Sequence, residues 1–149
     1  IDLEPAIGVI YAPAKKRLFY SYGNGCSFER FEQKKIKLEC KKKTKLGEVF
    51  AVSNSSKPSE KALKAHNKFN VKNVKNISSS YKFCVIASGE FDIYAARARA
   101  YEWDIAAGHA IVKHAGGIVT TLDEKEFKYG KPDYKNLDLL VRRSESLEK

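Results

Sequence analysis

The sequence predicts an α/β protein built from layers of strands and helices, and three observations support this class. The first forty residues contain short apolar or alternating segments separated by turns, which is typical of antiparallel strands. From Gly47 onward, strand-like segments alternate with helix-like segments, which is typical of α/β layers. The chain has 149 residues, of which 43% are hydrophobic and 31% charged, enough for one domain with a substantial core.

The N-terminal part of the sequence predicts an antiparallel sheet. A continuous apolar run over residues 6–11 stops before Pro13 and indicates a buried strand. The sequence Gly23-Asn24-Gly25 predicts a tight turn, because both residue types accept the backbone conformations that such turns require. The other expected strands lie at residues 17–22, about 27–31, and 35–38, the last of them at an exposed edge of the sheet.

The α/β part begins with a short buried strand at residues 49–52. The SNSS that follows leads into a helix with Pro58 in its first turn, where proline is well tolerated. Leu63, His66 and Phe69 align along this helix and indicate its apolar face. We therefore interpret His66 as a packed residue rather than a ligand.

A second helix is predicted after Ser78-Ser79-Ser80 and is expected to stop at Gly89. The next strand is expected at residues 91–95. A boundary between the β-rich part and the α/β part is placed near residues 41–46, where the strand pattern changes and lysines accumulate.

The stretch EWDIAAGHAIVKHAGG, at residues 102–117, predicts a third helix. Asp104 suits its cap, since the carboxylate can accept from free backbone N–H groups and its charge favours the positive end of the helix dipole. Gly116 and Gly117 end the helix. The small residues in its first turns allow close approach by another backbone or by a ligand. Strands are then expected at residues 118–122 and 137–141, and the tail SESLEK is expected to fray.

The net charge of +10, from 28 Lys and Arg against 18 Asp and Glu, favours anionic partners. The run Lys41-Lys42-Lys43-Thr44-Lys45 is interpreted as a solvated loop, because no aromatic residues interleave it as in a nucleic-acid site. No apolar run approaches the roughly 20 residues that cross a bilayer, and no signal-peptide pattern is present. A cytoplasmic protein without a membrane partner is expected.

The three cysteines and three histidines lack the spacing of zinc sites, so reduced thiols are expected and a zinc enzyme is not. Methionine is absent from the chain, which opens directly on Ile1. This absence favours a processed or truncated piece of a longer protein, which we keep as an expectation.

Three motifs, in order along the chain, carry a family resemblance. IGVIYAPAKKRLFY (residues 7–20) is similar to a strand-turn-strand segment usually read as G-V-[VI]-Y-A-P, WDIAAG (103–108) to W-D-x-A-A-G, and AGGIVTTLDEKEFKYG (115–130) to the usual ending. With these motifs the chain resembles the C-terminal half of the inositol monophosphatase family of metal-dependent phosphatases. The resemblance implies a layered α/β sandwich, with residues 1–46 as remnant strands of an N-terminal antiparallel sheet and residues 47–149 as a C-terminal α/β substrate-binding domain.

Within that family, SSSYKFCVIASGEFDIY (residues 78–94) resembles the 3'(2'),5'-bisphosphate nucleotidases, through Lys82 and Cys84. Two departures occur: Ser78 replaces a usual Gly, and Ser53-Asn54-Ser55-Ser56 replaces S-R-S-H. The implied function is a Mg²⁺-dependent phosphomonoesterase that converts adenosine 3',5'-bisphosphate to AMP and phosphate. An inositol or sugar phosphate phosphatase is one alternative, and a non-catalytic module that binds RNA or protein is another.

The resemblance implies that Asp104 is a ligand of Mg²⁺, a cation that prefers hard oxygen ligands. In the family, the other ligands come from a Glu-Glu pair and a D-P-[IL]-D-G-T motif, and a metal-activated water attacks phosphorus in line. Neither motif occurs in this chain, and the resemblance places the aspartate motif upstream of Ile1. No catalytic residue is therefore assigned within the chain, and the 149 residues alone are expected to be inactive.

The resemblance also implies contacts with a small phosphorylated substrate, expected to be a nucleotide. Ser79 and Ser80 can donate hydrogen bonds to a phosphate or simply cap the second helix, and Lys82 suits a second phosphate or solvent. The implied substrate-binding residues are Ser53, Ser79, Ser80, Lys82, Arg99, Glu102 and Asp104. If the preceding half is missing, the early strands expose an edge and apolar surface, so self-association or a homodimer is expected.

Overall fold

The computed structural model describes residues 2–40 and 48–144, and these residues form two β-sheets and three α-helices. The predicted α/β class is confirmed. The predicted boundary at 41–46, the lysine run and all but the first residue of the SESLEK tail lie outside the described residues. The elements are β1 (Gly8–Ala12), β2 (Arg17–Ser21), β3 (Ser27–Phe31), β4 (Lys34–Lys37), β5 (Val49–Ser53), α1 (Glu60–Lys68), β6 (Val71–Asn76), α2 (Tyr81–Ala87), β7 (Ile93–Ala96), α3 (Glu102–His114), β8 (Ile118–Thr121) and β9 (Leu139–Arg142).

The first sheet is an antiparallel meander in the order β1-β2-β3-β4. Its β2–β3 turn is closed by a hydrogen bond of 2.9 Å from the Cys26 N–H to the Gly23 carbonyl. Gly25 has a φ of +72° in this turn, a conformation that glycine adopts without steric cost. The antiparallel sheet and its turn are confirmed.

The second sheet has the order β6-β5-β7-β9-β8. Strands β6, β5 and β7 run parallel to one another, whereas β9 is antiparallel to both β7 and β8. The strand β6 was not predicted, because its sequence VKNVKN has only two apolar residues. It lies at an edge of the sheet with five of its six residues exposed, and an edge strand needs little apolar patterning.

The helices cover both faces of the second sheet. One face packs against α1 through Ala51, Ile93, Ala95 and Leu140. Residues that alternate with these, such as Val52, Tyr94 and Val141, face the larger core with α2 and α3. Because α3 also packs against β1, β2 and β3, the layers run sheet, helices α2 and α3, sheet, helix α1.

The small residues of α3 serve close packing. A Cβ added to Gly8 of β1 would lie 2.3 Å from the Ala107 carbonyl oxygen, and one added to Gly108 would lie 2.5 Å from the Phe83 ring. Both distances are far below ordinary van der Waals separation. The first sheet and α2 therefore approach α3 closely because Ala107, Gly108 and Ala110 carry little or no side-chain volume at these contacts.

The strand predicted at residues 6–11 is shifted to Gly8–Ala12 and is not buried as expected. Val9 and Tyr11 are 59% and 58% exposed, because they face away from α3 and no described element covers that side of the sheet. An apolar run alone cannot distinguish a strand covered on both faces from one covered on a single face.

Two details of α1 also differ from the prediction. Pro58 precedes the helix, whose cap is Ser59, with its side chain accepting from the Ala62 N–H at 3.2 Å. Leu63 is exposed, and Ala62 lies in the core in its place with Phe69. His66 is buried as predicted, and burial lowers its pKa.

The strands predicted at residues 91–95 and 137–141 form at Ile93–Ala96 and Leu139–Arg142, a shift within the usual uncertainty of strand ends. Gly89 and Gly116 follow α2 and α3 with φ of +80° and +85°, as predicted for helix-ending glycines. In the described part of the chain, no helix has the length and apolar character needed to cross a membrane.

Candidate functional site

A cavity of about 600 Å³ opens beyond the carboxyl ends of the parallel strands β5 and β7. Ligands commonly bind at this edge of an α/β sheet, where loops leave the strands and helices begin. The beginnings of α2 and α3 form two of its walls. The polar and aromatic residues that line it are Asn54, Ser78, Ser79, Ser80, Lys82, Phe83, Tyr94, Arg97, Arg99, Trp103, Asp104 and Asn136.

Asp104 lines this cavity in the first turn of α3. The helix begins at Glu102 with Tyr101 as its cap, so the prediction that Asp104 itself is the cap residue is wrong. Asp104 is instead the third helical residue, and its Oδ2 accepts a hydrogen bond of 2.8 Å from the Tyr101 N–H. This is the reciprocal half of a capping box, in which a carboxylate one turn into the helix satisfies the cap residue's backbone.

Lys82 is a buried cation in the wall of the cavity. It is 5% exposed, its Nζ donates to the Ser79 carbonyl at 2.6 Å, and the same Nζ lies 5.1 Å from the centre of the Tyr94 ring. Burial, and secondarily the charge of Arg99, lower its pKa to about 8. The alternative of a solvated lysine is therefore wrong, since most of this side chain is withdrawn from water.

Ser79 and Ser80 connect the cavity to the start of α2. Ser79 has a φ of +64°, a left-handed conformation that costs a non-glycine residue about 1–2 kcal/mol. This conformation accompanies the hydrogen bond from Lys82 to its carbonyl. Ser80 occupies the cap position of α2 without capping it through its side chain, and its Oγ donates to the Asp104 carbonyl at 3.3 Å.

Arg97 and Arg99 lie exposed on the segment that follows β7. Asp138 holds this segment, since its Oδ1 accepts a hydrogen bond of 2.7 Å from the Ala98 N–H between the two arginines. Both arginines also line a second cavity of about 150 Å³ next to the first. The two cavities thus share a positively charged wall.

Ser53 lies at this smaller cavity and not in the larger one. It is buried at the end of β5. Its Oγ donates to the Ser55 carbonyl at 2.8 Å and accepts from the Ser55 N–H at 3.1 Å. Its hydroxyl therefore orders the SNSS loop.

Glu102 lies beside Asp104 in sequence but is not part of the cavity lining described above. Its carboxylate accepts hydrogen bonds of 3.0 Å from the backbone N–H groups of Gly130 and Lys131 and pairs with the Lys131 Nζ at 2.7 Å. These contacts lower the pKa of Glu102 despite its burial. In the structure Glu102 anchors the loop before the last strand to α3.

Two features of the cavity were not assigned from the sequence. Trp103 is 64% exposed and stacks on Tyr101 with ring centres 4.7 Å apart and an angle of 5° between planes. Asn136 is buried, and neither its Oδ1 nor its Nδ2 has a hydrogen-bond partner among the described residues. Trp103 could have been singled out as the one tryptophan of the chain, next to Asp104, whereas nothing in the sequence distinguishes Asn136.

The residues that the structure describes supply one carboxylate for a metal ion and not a complete metal centre. Within residues 2–40 and 48–144, no three His, Cys, Asp or Glu side chains are grouped so that they could hold a metal. Asp104 fits the role of a single ligand, because its Oδ1 has no hydrogen-bond partner in the described structure and carboxylate oxygen suits Mg²⁺.

The location of the remaining metal ligands stays a prediction. The family resemblance implies further acidic ligands, and the described residues do not supply them. The structure therefore does not test this expectation, and no residue of the described chain is assigned as catalytic.

Comparison with known proteins gives a match over nearly the whole chain to the model of the inositol monophosphatase family, at residues 1–148. A 3'(2'),5'-bisphosphate nucleotidase, CysQ of Buchnera aphidicola, is 38% identical over 121 residues, which cover 78% of this chain and 43% of that protein. CysQ of Salmonella typhimurium is 29% identical over 131 residues, covering 85% of the chain and 50% of the relative. The chain thus spans about half the length of the curated relatives it matches.

Solved structures match the fold. The crystal structure of CysQ from Bacteroides thetaiotaomicron, a bacterial member of the inositol monophosphatase family, superposes with a TM-score of 0.77 at 28% identity, over 94% of this chain and 58% of that one. Inositol monophosphatase II of Staphylococcus aureus gives a TM-score of 0.75 at 18% identity, over 99% and 53%. The second likeness concerns the fold alone.

Proposed function

Because the chain belongs to the inositol monophosphatase family, we propose that its large cavity binds a phosphate monoester as part of a phosphomonoesterase. The family resemblance of the motifs and the expected fold are confirmed by the family match and by the CysQ structure. The substrate we propose is a nucleotide bisphosphate, such as adenosine 3',5'-bisphosphate, in line with the two CysQ relatives. The cavity then serves as the substrate-binding wall.

The observation that carries this proposal is the buried cation Lys82 at the same cavity as Asp104. Burying an ammonium group is costly unless an anion accompanies it. The lowered pKa of Lys82, about 8, expresses this cost. Groups with strongly shifted pKa values in a cleft are candidates for function, and here a bound phosphate would offset the unfavourable burial.

Arg97 and Arg99 support a substrate with two phosphate groups. They line both cavities. One phosphate can therefore contact Lys82 in the larger cavity while a second phosphate lies in the smaller cavity. Guanidinium groups bind phosphate oxygens through paired hydrogen bonds. We assign Ser79 and Ser80 to the larger cavity as polar neighbours of the phosphate near Lys82.

Mg²⁺ is the proposed cofactor, with Asp104 as one ligand. When bound, such an ion polarises phosphoryl oxygens and neutralises their charge. Asp104 is held for this role by the hydrogen bond from Tyr101 to its Oδ2, which orients the carboxylate toward the cavity. A nearby carboxylate without a cation would repel phosphate, so the proposal requires Mg²⁺ to strengthen binding of the substrate.

Titration calorimetry tests this function with three phosphate esters: adenosine 3',5'-bisphosphate, inositol 1-phosphate and fructose 1,6-bisphosphate, each with and without Mg²⁺. We expect the nucleotide to bind most tightly, and Lys82→Met to weaken its binding at least about tenfold, since a charged hydrogen bond contributes roughly 1.5–3 kcal/mol. Lys64→Met is the matched control, because Lys64 is exposed and its Nζ pairs with Glu60 within α1, away from the cavity. Binding of no phosphate ester, or equal loss in both variants, would overturn the proposal; preference for one of the other esters would reassign the substrate.

A further inference from the structure

Three aromatic side chains form an exposed cluster, and one of them, Trp103, lines the large cavity. Trp103 stacks on Tyr101, and the rings of Trp103 and Tyr134 lie 6.0 Å apart at 50°. Trp103 and Tyr134 are 64% and 57% exposed. We call Tyr101, Trp103 and Tyr134 the aromatic platform. Large apolar rings grouped in water, instead of packed in the core, indicate a binding surface.

The backbone under the platform is held firmly in place. Tyr101 forms a β-bridge with Lys135, and the Asn136 N–H donates to the Ala100 carbonyl at 3.0 Å. The hydrogen bond between Tyr101 and Asp104 fixes the start of α3. Because these contacts join the start of α3 to the segment carrying Tyr134, the rings keep their arrangement before any ligand arrives, which lowers the entropic cost of binding.

Asn136 supplies a second, independent sign of a ligand. It lines the same cavity as Trp103 and is 6% exposed, yet both polar atoms of its amide lack partners in the described residues. Buried amides are almost always hydrogen-bonded. An amide with an unused donor and an unused acceptor matches the edge of a nucleobase, as in the pairing of Asn with adenine N6 and N7.

We propose that the aromatic platform and Asn136 form the nucleobase site of this cavity, with the base stacked on Trp103 and its edge bonded to the Asn136 amide. The inference rests on the proposed function, because the phosphate of the same ligand lies at Lys82. In this site, the aromatic platform selects nucleotides over inositol phosphates and sugar phosphates. An inositol or sugar has no flat π-face to stack and gains little from Trp103, whereas every nucleobase has one.

The position of Trp103 makes the test direct, since it is the one tryptophan of the chain and its emission reports on a stacked base. The ligands are AMP and ribose 5-phosphate, which share the phosphate and the ribose but differ in the base. We expect AMP to quench Trp103 fluorescence and ribose 5-phosphate to leave it unchanged. By calorimetry, AMP should bind about five- to a hundredfold more tightly, the range given by stacking of one base.

Three variants assign this difference to the site. Trp103→Leu, Tyr134→Leu and Asn136→Leu should each weaken AMP binding and leave ribose 5-phosphate binding unchanged. Trp103→Phe retains a ring and should recover part of the affinity, which excludes a general loss of structure. Tyr22→Leu is the control, since Tyr22 is exposed and stacks on Phe28 of the first sheet, and it should change neither ligand.

The two proposals fail in different ways. If AMP and ribose 5-phosphate bind equally and both depend on Lys82, the nucleobase site is overturned and the phosphate site stands. If AMP binds more tightly but all three leucine variants keep that difference, the base lies elsewhere and the inference is again overturned. If neither ligand binds, the proposed function fails together with the inference.

Discussion

The Oδ2 atom of Asp104 lies 2.8 Å from the backbone nitrogen of Tyr101 and accepts its hydrogen bond. One carboxylate oxygen therefore holds the first turn of α3, and the other oxygen can contact a ligand in the cavity. The structural and the proposed functional roles of Asp104 are therefore compatible, because each uses a different atom. Asp104→Asn should retain most of this contact through its carbonyl oxygen and so keep the helix while losing the charge.

Lys82→Met should stabilise the chain at pH 7. The buried ammonium has a pKa lowered to about 8, so keeping it charged costs folding free energy. Removing that charge should raise the free energy of unfolding by roughly 1–3 kcal/mol, measured by urea denaturation. Stability gained at the expense of binding is typical of functional residues.

The control is the pH dependence of the difference in unfolding free energy between Lys82→Met and the wild type. The folded pKa of Lys82 lies below its unfolded value of about 10.4, so wild-type stability should rise relative to the variant between about pH 8 and 10. A difference that stays constant over this range would contradict the assignment of the cost to Lys82.

Binding of AMP should weaken as pH rises above about 8. Phosphate monoesters are dianions throughout this range, so the change reflects loss of the proton from Lys82, whose pKa is about 8 in the free protein. Calorimetry between pH 7 and 9.5 should show affinity falling by up to about tenfold per pH unit. In Lys82→Arg the guanidinium stays charged, and a profile as steep as that of the wild type would count against the role of Lys82.

His109 should make the fold sensitive to mild acid. Its ring is buried, Nδ1 lies 2.9 Å from the Tyr129 hydroxyl, and burial lowers its pKa to about 4. Because the folded pKa of His109 is below the unfolded value of about 6.5, the stability that the neutral ring contributes is complete above pH 6.5. This contribution declines as pH falls toward 4.

In His109→Gln the loss of stability between pH 6.5 and 5 should be smaller by about 1 kcal/mol, measured by denaturant unfolding at each pH. Some acid sensitivity should remain, because burial also lowers the pKa values of His66 and His114. Equal pH slopes in the variant and the wild type would show that His109 is not the titrating group.

The 149-residue chain should associate with itself through its first sheet. Val9 and Tyr11 expose apolar surface, and β1 pairs only with β2 among the described strands. Exposed edges and apolar faces favour association. Val9→Thr with Tyr11→Thr should shift the chain toward monomer in analytical ultracentrifugation, whereas Ile36→Thr, an exposed position on β4, should change little. A wild-type chain that is monomeric at high concentration would contradict this expectation.

The same chain should hydrolyse no adenosine 3',5'-bisphosphate at millimolar Mg²⁺. The described residues offer one carboxylate at the cavity and no group of three metal-binding side chains. They can help hold Mg²⁺ against a substrate phosphate, but they supply no further carboxylate to position and activate an attacking water. A phosphate-release assay measures this directly. Turnover that requires Mg²⁺ and disappears in Asp104→Asn would refute the expectation.

Local sequence rules predicted most of the fold. The turn at Gly23-Asn24-Gly25, the helix-ending glycines and the buried His66 all depend on neighbours close in sequence, and all were confirmed. The exposure of Val9 depends instead on whether another layer covers the sheet, which no local pattern reveals. The strand β6 was missed for a related reason, since its pairing with β5 compensates for a weak apolar pattern.

The candidate site was predicted only where a motif marked it. Asp104, Lys82 and Arg99 were identified from the sequence and do line one cavity, although their roles remain proposals. The contacts of Glu102 with Gly130 and Lys131 join residues far apart in sequence, so its place outside the cavity could not be read from its spacing to Asp104. The burial of the Asn136 amide without partners likewise results from the packing of the last loop against the start of α3, which no local pattern reveals.

A crystal structure of the chain with adenosine 3',5'-bisphosphate in the presence of Mg²⁺ would locate the bound nucleotide. We expect one phosphate within hydrogen-bond distance of the Lys82 Nζ and another group of the ligand on Arg97 or Arg99. A nucleotide bound outside this cavity, with Lys82 still bonded only to Ser79, would contradict this prediction.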